Sequence, residues 1–405
     1  MDNRDHAAAL GGLLACLALA LLLYHSLAGG TLLSANAYDS YSLQAENWLA
    51  GRNYIAGGEN YPWLELAIYG GRYYQSFPPV PALWMLPWVL FFGSAAAVPS
   101  NLAMALVALL CAAGCYACCA RAGLRPAAAA CLTLFVSFGS NAFWLSTSGG
   151  VWFMAQMLGL CLAFWGLFFA LRDTPPATVA ASFCLALAVG CRPFYAALLA
   201  VWLLYRLVRK RHAGVLRAAL PALLPAAVVA CCLMGYNLAR FGNPLEFGHS
   251  YLPEFTRAAN GQFSPVYLAS NLLNLLRPVT LDSSLQLHFE LFNGFLFFLA
   301  NPLFLLWAFC GVAVRLRRGP RSAALPLPAQ GWFTLLVCLL LTLLTCMHRT
   351  MGGWQFGTRY LVDLFPWAVL WFLSRPAWRP GTGSWTLCGA AILFNLYGAV
   401  YMLQT

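Results

Sequence analysis

Lysine is all but missing from this sequence: Lys210 is the one lysine, against 22 arginines. It lies in a basic cluster that charge placement assigns to the cytoplasmic side, so Schiff-base chemistry on the outer side of a membrane has no residue to use. Charge of either sign is scarce, at 9% of residues, while 61% are hydrophobic and the mean hydropathy is +0.71. That balance excludes a soluble globular protein. No polar loop carries a pair of the 15 cysteines, which excludes a disulfide framework. Cys111, Cys115, Cys118 and Cys119 fall at helical spacing inside an apolar run, where small, soft side chains pack a membrane helix rather than hold a metal. A phosphate-binding GxxxxGK[ST] loop, a strand-borne GxGxxG, an HExxH and paired CxxC motifs are all missing. Nucleotide-driven chemistry and a structural zinc site therefore have no support. The first apolar run, 7–27, lacks a small-residue cleavage site followed by a polar mature domain, and reads as a retained helix.

Present instead are repeated apolar runs near the roughly 20 residues that cross a bilayer as a helix. The net charge of +11 comes from arginines in short loops between those runs: Arg121 and Arg125; Arg206, Arg209, Lys210, Arg211 and Arg217; Arg315, Arg317, Arg318 and Arg321; Arg375 and Arg379. This is the positive-inside pattern, which orients the chain and removes the case for a nucleic-acid partner. It predicts an all-α polytopic membrane protein with about eleven transmembrane helices, near 7–27, 101–120, 127–145, 151–171, 177–190, 194–208, 218–236, 291–314, 330–347, 361–373 and 385–403. Residues 79–93 are apolar but short and hold Pro79, Pro81 and Pro87. They read as an embedded half-helix, since a full crossing would put Arg121 and Arg125 outside. The expectation is one transmembrane domain over 1–405, with outer juxtamembrane helices, a first outer loop at 30–98, a second at 237–290 and no soluble C-terminal domain. This topology sorts the 12 acids. Asp2, Asp5 and Asp173 fall inside, and Asp39, Glu46, Glu59, Glu65, Glu246, Glu254, Asp282, Glu290 and Asp363 fall outside or at the outer boundary.

The stretch 38–81 is unusually rich in carboxylates, tyrosines and tryptophans for a linker. Asp39 stands where the first helix leaves the membrane, and Glu46, seven residues on, shares its face of a short amphipathic helix. A carboxylate there can take a proton from an attacking hydroxyl; it can equally cap the helix, and both roles can hold together. Arg72, Tyr74 and Gln75 precede the half-helix, either as a proline-stiffened aromatic belt or as a pocket wall. Arg192, Arg240, Arg349 and Arg359, with His249 and His348, fall on the same outer side. Guanidinium forks suit phosphate oxygens, although any one arginine can serve as an interfacial anchor.

The order of these motifs resembles the GT-C superfamily of polytopic, lipid-phosphosugar-dependent glycosyltransferases, which includes protein mannosyltransferases, aminoarabinose transferases and oligosaccharyltransferase subunits. The matching parts are Tyr38-Asp39-Ser40-Tyr41 with Ala50-Gly51 downstream and Tyr74-Gln75-Ser76-Phe77-Pro78-Pro79-Val80-Pro81 ending at Phe92-Gly93. Cys191-Arg192-Pro193, Phe241-Gly242-Asn243-Pro244 and Phe356-Gly357-Thr358-Arg359-Tyr360 complete them. The resemblance implies Asp39 as general base and a polyprenyl-phosphate sugar as donor. It also implies outer arginines on the leaving phosphate and inversion at the anomeric carbon. Ser40 stands where several relatives carry a second acid, and the chain ends at its last span, which favours a lipid-linked or cell-envelope glycan acceptor. Some relatives need a divalent metal and others do not; Asp39, Glu46 and Glu246 could ligate one. A transporter or flippase of lipid-linked sugar intermediates, or a non-catalytic relative, is the alternative. The topology has a direct check: alkaline phosphatase fused after residue 98 is expected to be active outside the membrane, and fused after residue 123 inactive. The reverse pattern would overturn the orientation.

Overall fold

A computed structural model describes residues 3–209, 215–284, 286–316, 325, 328 and 331–405. It bears out an all-α membrane fold. Helices α1 (Asn3–Leu27), α2 (Ser40–Leu49), α3 (Val80–Phe92), α4 (Ser100–Arg121), α5 (Pro126–Ser137), α6 (Asn141–Leu145), α7 (Val151–Ala170), α8 (Pro175–Val189), α9 (Ala196–Arg209) and α10 (Val215–Phe241) follow in order. Later helices include Leu303–Leu316, Gly331–Cys346, Phe365–Leu373 and Thr382–Tyr401. Among the described residues five helices are long and apolar enough to cross a bilayer: Asn3–Leu27, Ser100–Arg121, Val151–Ala170, Ala219–Phe241 and Thr382–Tyr401. Five shorter apolar helices accompany them: Val80–Phe92, Pro126–Ser137, Pro175–Val189, Leu303–Val312 and Gly331–Cys346. The 13 residues of α3 reach about 20 Å, short of a hydrocarbon layer of about 30 Å, which fits the embedded half-helix. Lys210, Arg211, Arg317, Arg318, Arg321 and Asp2 lie outside the described residues, as do the side chains of Arg217 and Arg315. On the expected inner face Arg206 pairs with Asp173 at 3.3 Å.

Three expected spans are interrupted. Residues 127–145 break between α5 and α6, where Phe138 and Gly139 both donate to the Leu134 carbonyl. Residues 291–314 break into Phe297–Ala300 and Leu303–Leu316, around Asn301 and Pro302, which has no N–H to continue a helix. Residues 361–373 begin with a 3₁₀ segment, Arg359–Leu364. Two short hairpins interrupt the all-α expectation. The longer pairs β1 (Leu66–Tyr69) with β2 (Arg72–Gln75) through Gly70 and Gly71, at φ of 55° and 73°. A two-residue turn with both φ positive matches the twist of an antiparallel pair, and glycine adopts it without strain.

The chain divides into two compact units: Met1–Tyr24, Leu109–Leu145 and Phe263–Thr405, and His25–Ala108 with Ser146–Gln262. In the second, α7 packs on α8, α8 on α10, and α2 on α3. The Val80 N–H donates to the Gly190 carbonyl at 3.0 Å. A Cβ on Gly190 would stand 2.4 Å from Val80 Cγ2, so glycine is what lets α3 approach the turn carrying Arg192. In the first unit the fully buried Asn141 is the hub of the loop before Arg359. Its Oδ1 accepts from Asn301 Nδ2 at 2.7 Å and the Thr358 N–H at 3.2 Å, and its Nδ2 donates to the Phe356 carbonyl. Cys111, Cys115, Cys118 and Cys119 are buried and outside any disulfide, packed as helix side chains.

Asn141→Ala leaves several of these buried groups unpaired, at about 1–3 kcal/mol each. Its expected effect is a loss of at least about 2 kcal/mol of stability, read as a lowered melting midpoint in detergent; an unchanged midpoint would show that the hub is not holding the loop.

Candidate active site

The site is built around the start of α2. The chain leaving α1 is pinned before it enters that helix. The Asn36 N–H donates to Ser100 Oγ at 2.8 Å and its Nδ2 to Ser148 Oγ at 3.0 Å. The Tyr38 carbonyl accepts from the Val151 N–H at 2.9 Å, and the Tyr38 ring lies 5.4 Å from that of Trp152. Asp39 is thereby held at the N-cap position, 7% exposed. Its Oδ1 accepts the Ser42 N–H at 2.9 Å and its Oδ2 the Ser42 hydroxyl at 2.5 Å. The capping role expected for Asp39 is therefore present. Burial pushes its carboxyl pKa up to about 6, opposed by the hydrogen bonds from Ser42, Ser100 and the Tyr41 backbone. At neutral pH Asp39 is ionised yet far more basic than an exposed aspartate, which is what a proton acceptor requires.

Around it stand groups brought from distant sequence. Gln75, buried at the end of β2, donates from Nε2 to Ser40 Oγ at 2.9 Å. Arg240 is buried and donates from Nη1 to the Gln75 carbonyl at 2.7 Å. Its Nη2 donates to Asn237 Oδ1 at 3.0 Å and the Phe247 carbonyl at 3.2 Å. Its guanidinium also covers the Tyr236 ring, 4.1 Å from the centroid. Burial pushes the Tyr41 hydroxyl well above its ordinary pKa, with Cys191 and Asp39 adding and the Arg192 charge opposing. The half-buried Arg192 thus acts electrostatically on the same helix start as Asp39.

Other expected residues are placed differently. Glu46 is half-buried further along α2. Arg72 is exposed, its guanidinium 4.7 Å from the Tyr54 ring centroid. Tyr74 is buried against Ala67 and Phe241. The His249 ring lies tilted against Phe77 at 5.1 Å and Phe255 at 5.0 Å. His348, Arg349 and Arg359 belong to the first unit. His348 is buried, its Nδ1 2.7 Å from the Thr350 carbonyl. Arg349 is exposed. Arg359 is buried and donates from Nε and Nη2 to the Gly352 carbonyl at 3.2 and 2.9 Å. Glu246 Oε1 accepts the Gly248 N–H at 2.6 Å. Among the described residues no three His, Cys, Asp or Glu side chains are grouped to hold an ion.

Sequence reasoning assigned no role to Ser42, Tyr41 and Gln44, which are all buried on α2, Ser42 being bonded to Asp39. The signal was there in the polar residues Ser40, Ser42, Gln44 and Asn47 of a juxtamembrane helix, more than a membrane-lying face needs.

No family model matches the sequence, and no curated protein matches it. Among solved structures, the crystal structure of ArnT from Cupriavidus metallidurans bound to undecaprenyl phosphate is similar, at a TM-score of 0.51 and 14% identity over 91% of this chain and 61% of that one. The apo crystal structure of the Archaeoglobus fulgidus oligosaccharyltransferase gives a TM-score of 0.53 and 13% identity over 97% of this chain and 56% of that one. The chain spans less than two thirds of either. At such identities the likeness is one of fold, and the GT-C resemblance read from the sequence holds at that level.

Asp39→Ala removes the cap and is expected to cost about 1 kcal/mol, whereas Asp39→Asn keeps a good cap. Because burial raises the folded-state pKa from 3.8 to about 6, the protonated carboxyl favours the fold below about pH 4. That contribution, on the order of 3 kcal/mol, is lost as pH rises through about 6. Melting of the wild type should therefore worsen relative to Asp39→Asn between pH 4 and 6.5, and parallel curves would show that Asp39 is not desolvated.

Proposed function

We propose that the protein is a membrane glycosyltransferase that moves a sugar from a polyprenyl-phosphate donor to a lipid-linked or cell-envelope glycan acceptor. It sits in the cytoplasmic membrane, with its active site on the extracytoplasmic face. The observation that carries this is Asp39, a buried carboxylate with a pKa near 6, whose neighbour Tyr41 feels the charges of both Asp39 and Arg192. The fold shared with an ArnT crystallised with undecaprenyl phosphate supports it.

In this mechanism an Asp39 carboxylate oxygen takes the proton of an acceptor hydroxyl. The hydroxyl oxygen then attacks the anomeric carbon, and the bond from that carbon to the phosphate oxygen breaks with its electron pair leaving on the phosphate. A single displacement of this kind inverts the anomeric carbon. Charge gathers on the phosphate as the bond breaks, and a preorganised guanidinium there lowers the barrier; Arg192 is proposed for that role. Glu46 is proposed as a second carboxylate that disfavours stray anions near the acceptor path. Arg240, already engaged with carbonyl oxygens, is proposed to position Gln75. Arg72, Tyr74 and His249 in this unit, and His348, Arg349 and Arg359 in the other, are proposed as ligand-facing or loop-setting groups within their own units.

The test is transfer of labelled sugar from a polyprenyl-phosphate donor by the purified protein in proteoliposomes. Asp39→Asn, which keeps the cap, is expected to lower the rate by on the order of 10²–10⁴-fold, and kcat/KM is expected to fall tenfold per pH unit below about 6. Full activity of that variant would falsify the base assignment. Passage of sugar across the bilayer with no new glycosidic bond would favour a transporter.

A further inference from the structure

Resting on the glycosyltransferase reading, the surroundings of Asp39 hold a second message. Three side chains there carry buried polar atoms with no hydrogen-bond partner among the described residues: the Tyr41 hydroxyl, both amide atoms of Gln44, and Oε1 of Gln75. The residues are 0%, 0% and 1% exposed. They are not scattered. On a helix advancing 100° per residue, Ser40, Tyr41 and Gln44 lie within about 100° of one another on successive turns. Gln75 is fastened to that stripe through its bond to Ser40 Oγ, at 2.9 Å. Its backbone is fixed in turn by Arg240 at 2.7 Å. A buried amide with neither donor nor acceptor satisfied destabilises a fold that a leucine of similar size would not. Such groups are expected where a ligand completes them.

The donor and acceptor pattern selects the ligand class. The Tyr41 hydroxyl can donate and accept, Gln44 donates from Nε2 and accepts on Oε1, and Gln75 Oε1 only accepts. A phosphate has almost no proton to offer an acceptor oxygen, and none of these atoms is charged. A sugar hydroxyl both donates and accepts, and several project from one ring. We propose that Tyr41, Gln44 and Gln75 bind the hydroxyls of one sugar ring beside Asp39 and so set which sugar is recognised, leaving the phosphate to Arg192. The ring belongs either to the donor or to the acceptor, and the experiment separates the two.

The full chain in nanodiscs is titrated with bare undecaprenyl phosphate, with undecaprenyl phosphate carrying glucose, galactose, mannose or arabinose, and with the methyl glycosides of those sugars. The wild type is compared with Gln44→Leu and Tyr41→Phe, and the unliganded melting midpoint of each is recorded. The wild type is expected to bind at least one glycosylated lipid at least tenfold tighter than the bare carrier, or to bind one methyl glycoside measurably. Both variants should lose that discrimination tenfold or more, hold bare-carrier affinity within twofold, and melt no lower than the wild type. Loss against the glycosylated lipids assigns the donor sugar; loss against the methyl glycosides assigns the acceptor. Three results would overturn the inference: no sugar preference in the wild type, undiminished preference in both variants, or a lower midpoint in both, which marks a structural role such as holding an internal water. Failure of the wild type to bind any carrier lipid would instead sink the glycosyltransferase reading, while the methyl glycosides and melting midpoints still decide the sugar pocket.

Discussion

A buried carboxylate at the mouth of a short helix governs this structure. Asp39 is removed from water, which disfavours its charge, and it accepts an N–H and a hydroxyl from Ser42, which favour that charge. The helix N-terminus adds its partial positive charge on the same side. Desolvation is the larger effect, so the pKa rises to about 6, and the carboxylate is still ionised at neutral pH. The cap stabilises the helix start by about 1 kcal/mol, and the burial makes the carboxylate more basic than an exposed one. The two oxygens that cap the helix are the same two that the proposed mechanism would use.

The inward face of α2 depends on that anchoring. The pinned approach through Asn36 and Tyr38 sets the rotation of the helix about its axis, and the rotation decides which residues turn inward. Ser40, Tyr41 and Gln44 are buried, and Gln75 bonds to Ser40. Natural folds tolerate unsatisfied polar groups chiefly where function requires them. Tyr41 and Gln44 on one stripe of α2, with Gln75 bonded to Ser40 of that stripe, carry such atoms, which is what the proposed sugar site rests on.

The arginines separate by burial. In sequence, Arg192, Arg240, Arg349 and Arg359 look equivalent, each on the outer side and each able to grip a phosphate. In the fold, Arg240 and Arg359 are buried and donate to main-chain carbonyls at Gln75, Phe247 and Gly352. A guanidinium in that setting stabilises a loop conformation. Arg192 is half-buried after a turn that Gly190 brings close to α3, so its charge reaches the helix that Asp39 caps.

Much was legible in the sequence because a bilayer imposes simple rules. Apolar run length and arginine placement carried the helical membrane fold, proline content marked Val80–Phe92 as too short to span, and Asp39 after the first helix announced both a cap and a candidate base. The Gly70-Gly71 hairpin was legible too, but the membrane signal around it masked a local turn pattern. The break at Asn301 carried a local signal in Pro302; the one at Gly139 did not, since the Asn141 that follows it is held by Asn301, Phe356 and Thr358 from far along the chain. The sequence by itself determined the class of fold and the place of a carboxylate that caps α2, because hydropathy and capping act over a few neighbouring residues. Only the tertiary structure decided which polar groups share Asp39's surroundings and how basic that carboxylate is, because burial and hydrogen-bond partnership are properties of contacts between residues as far apart as Ser40, Gln75 and Arg240.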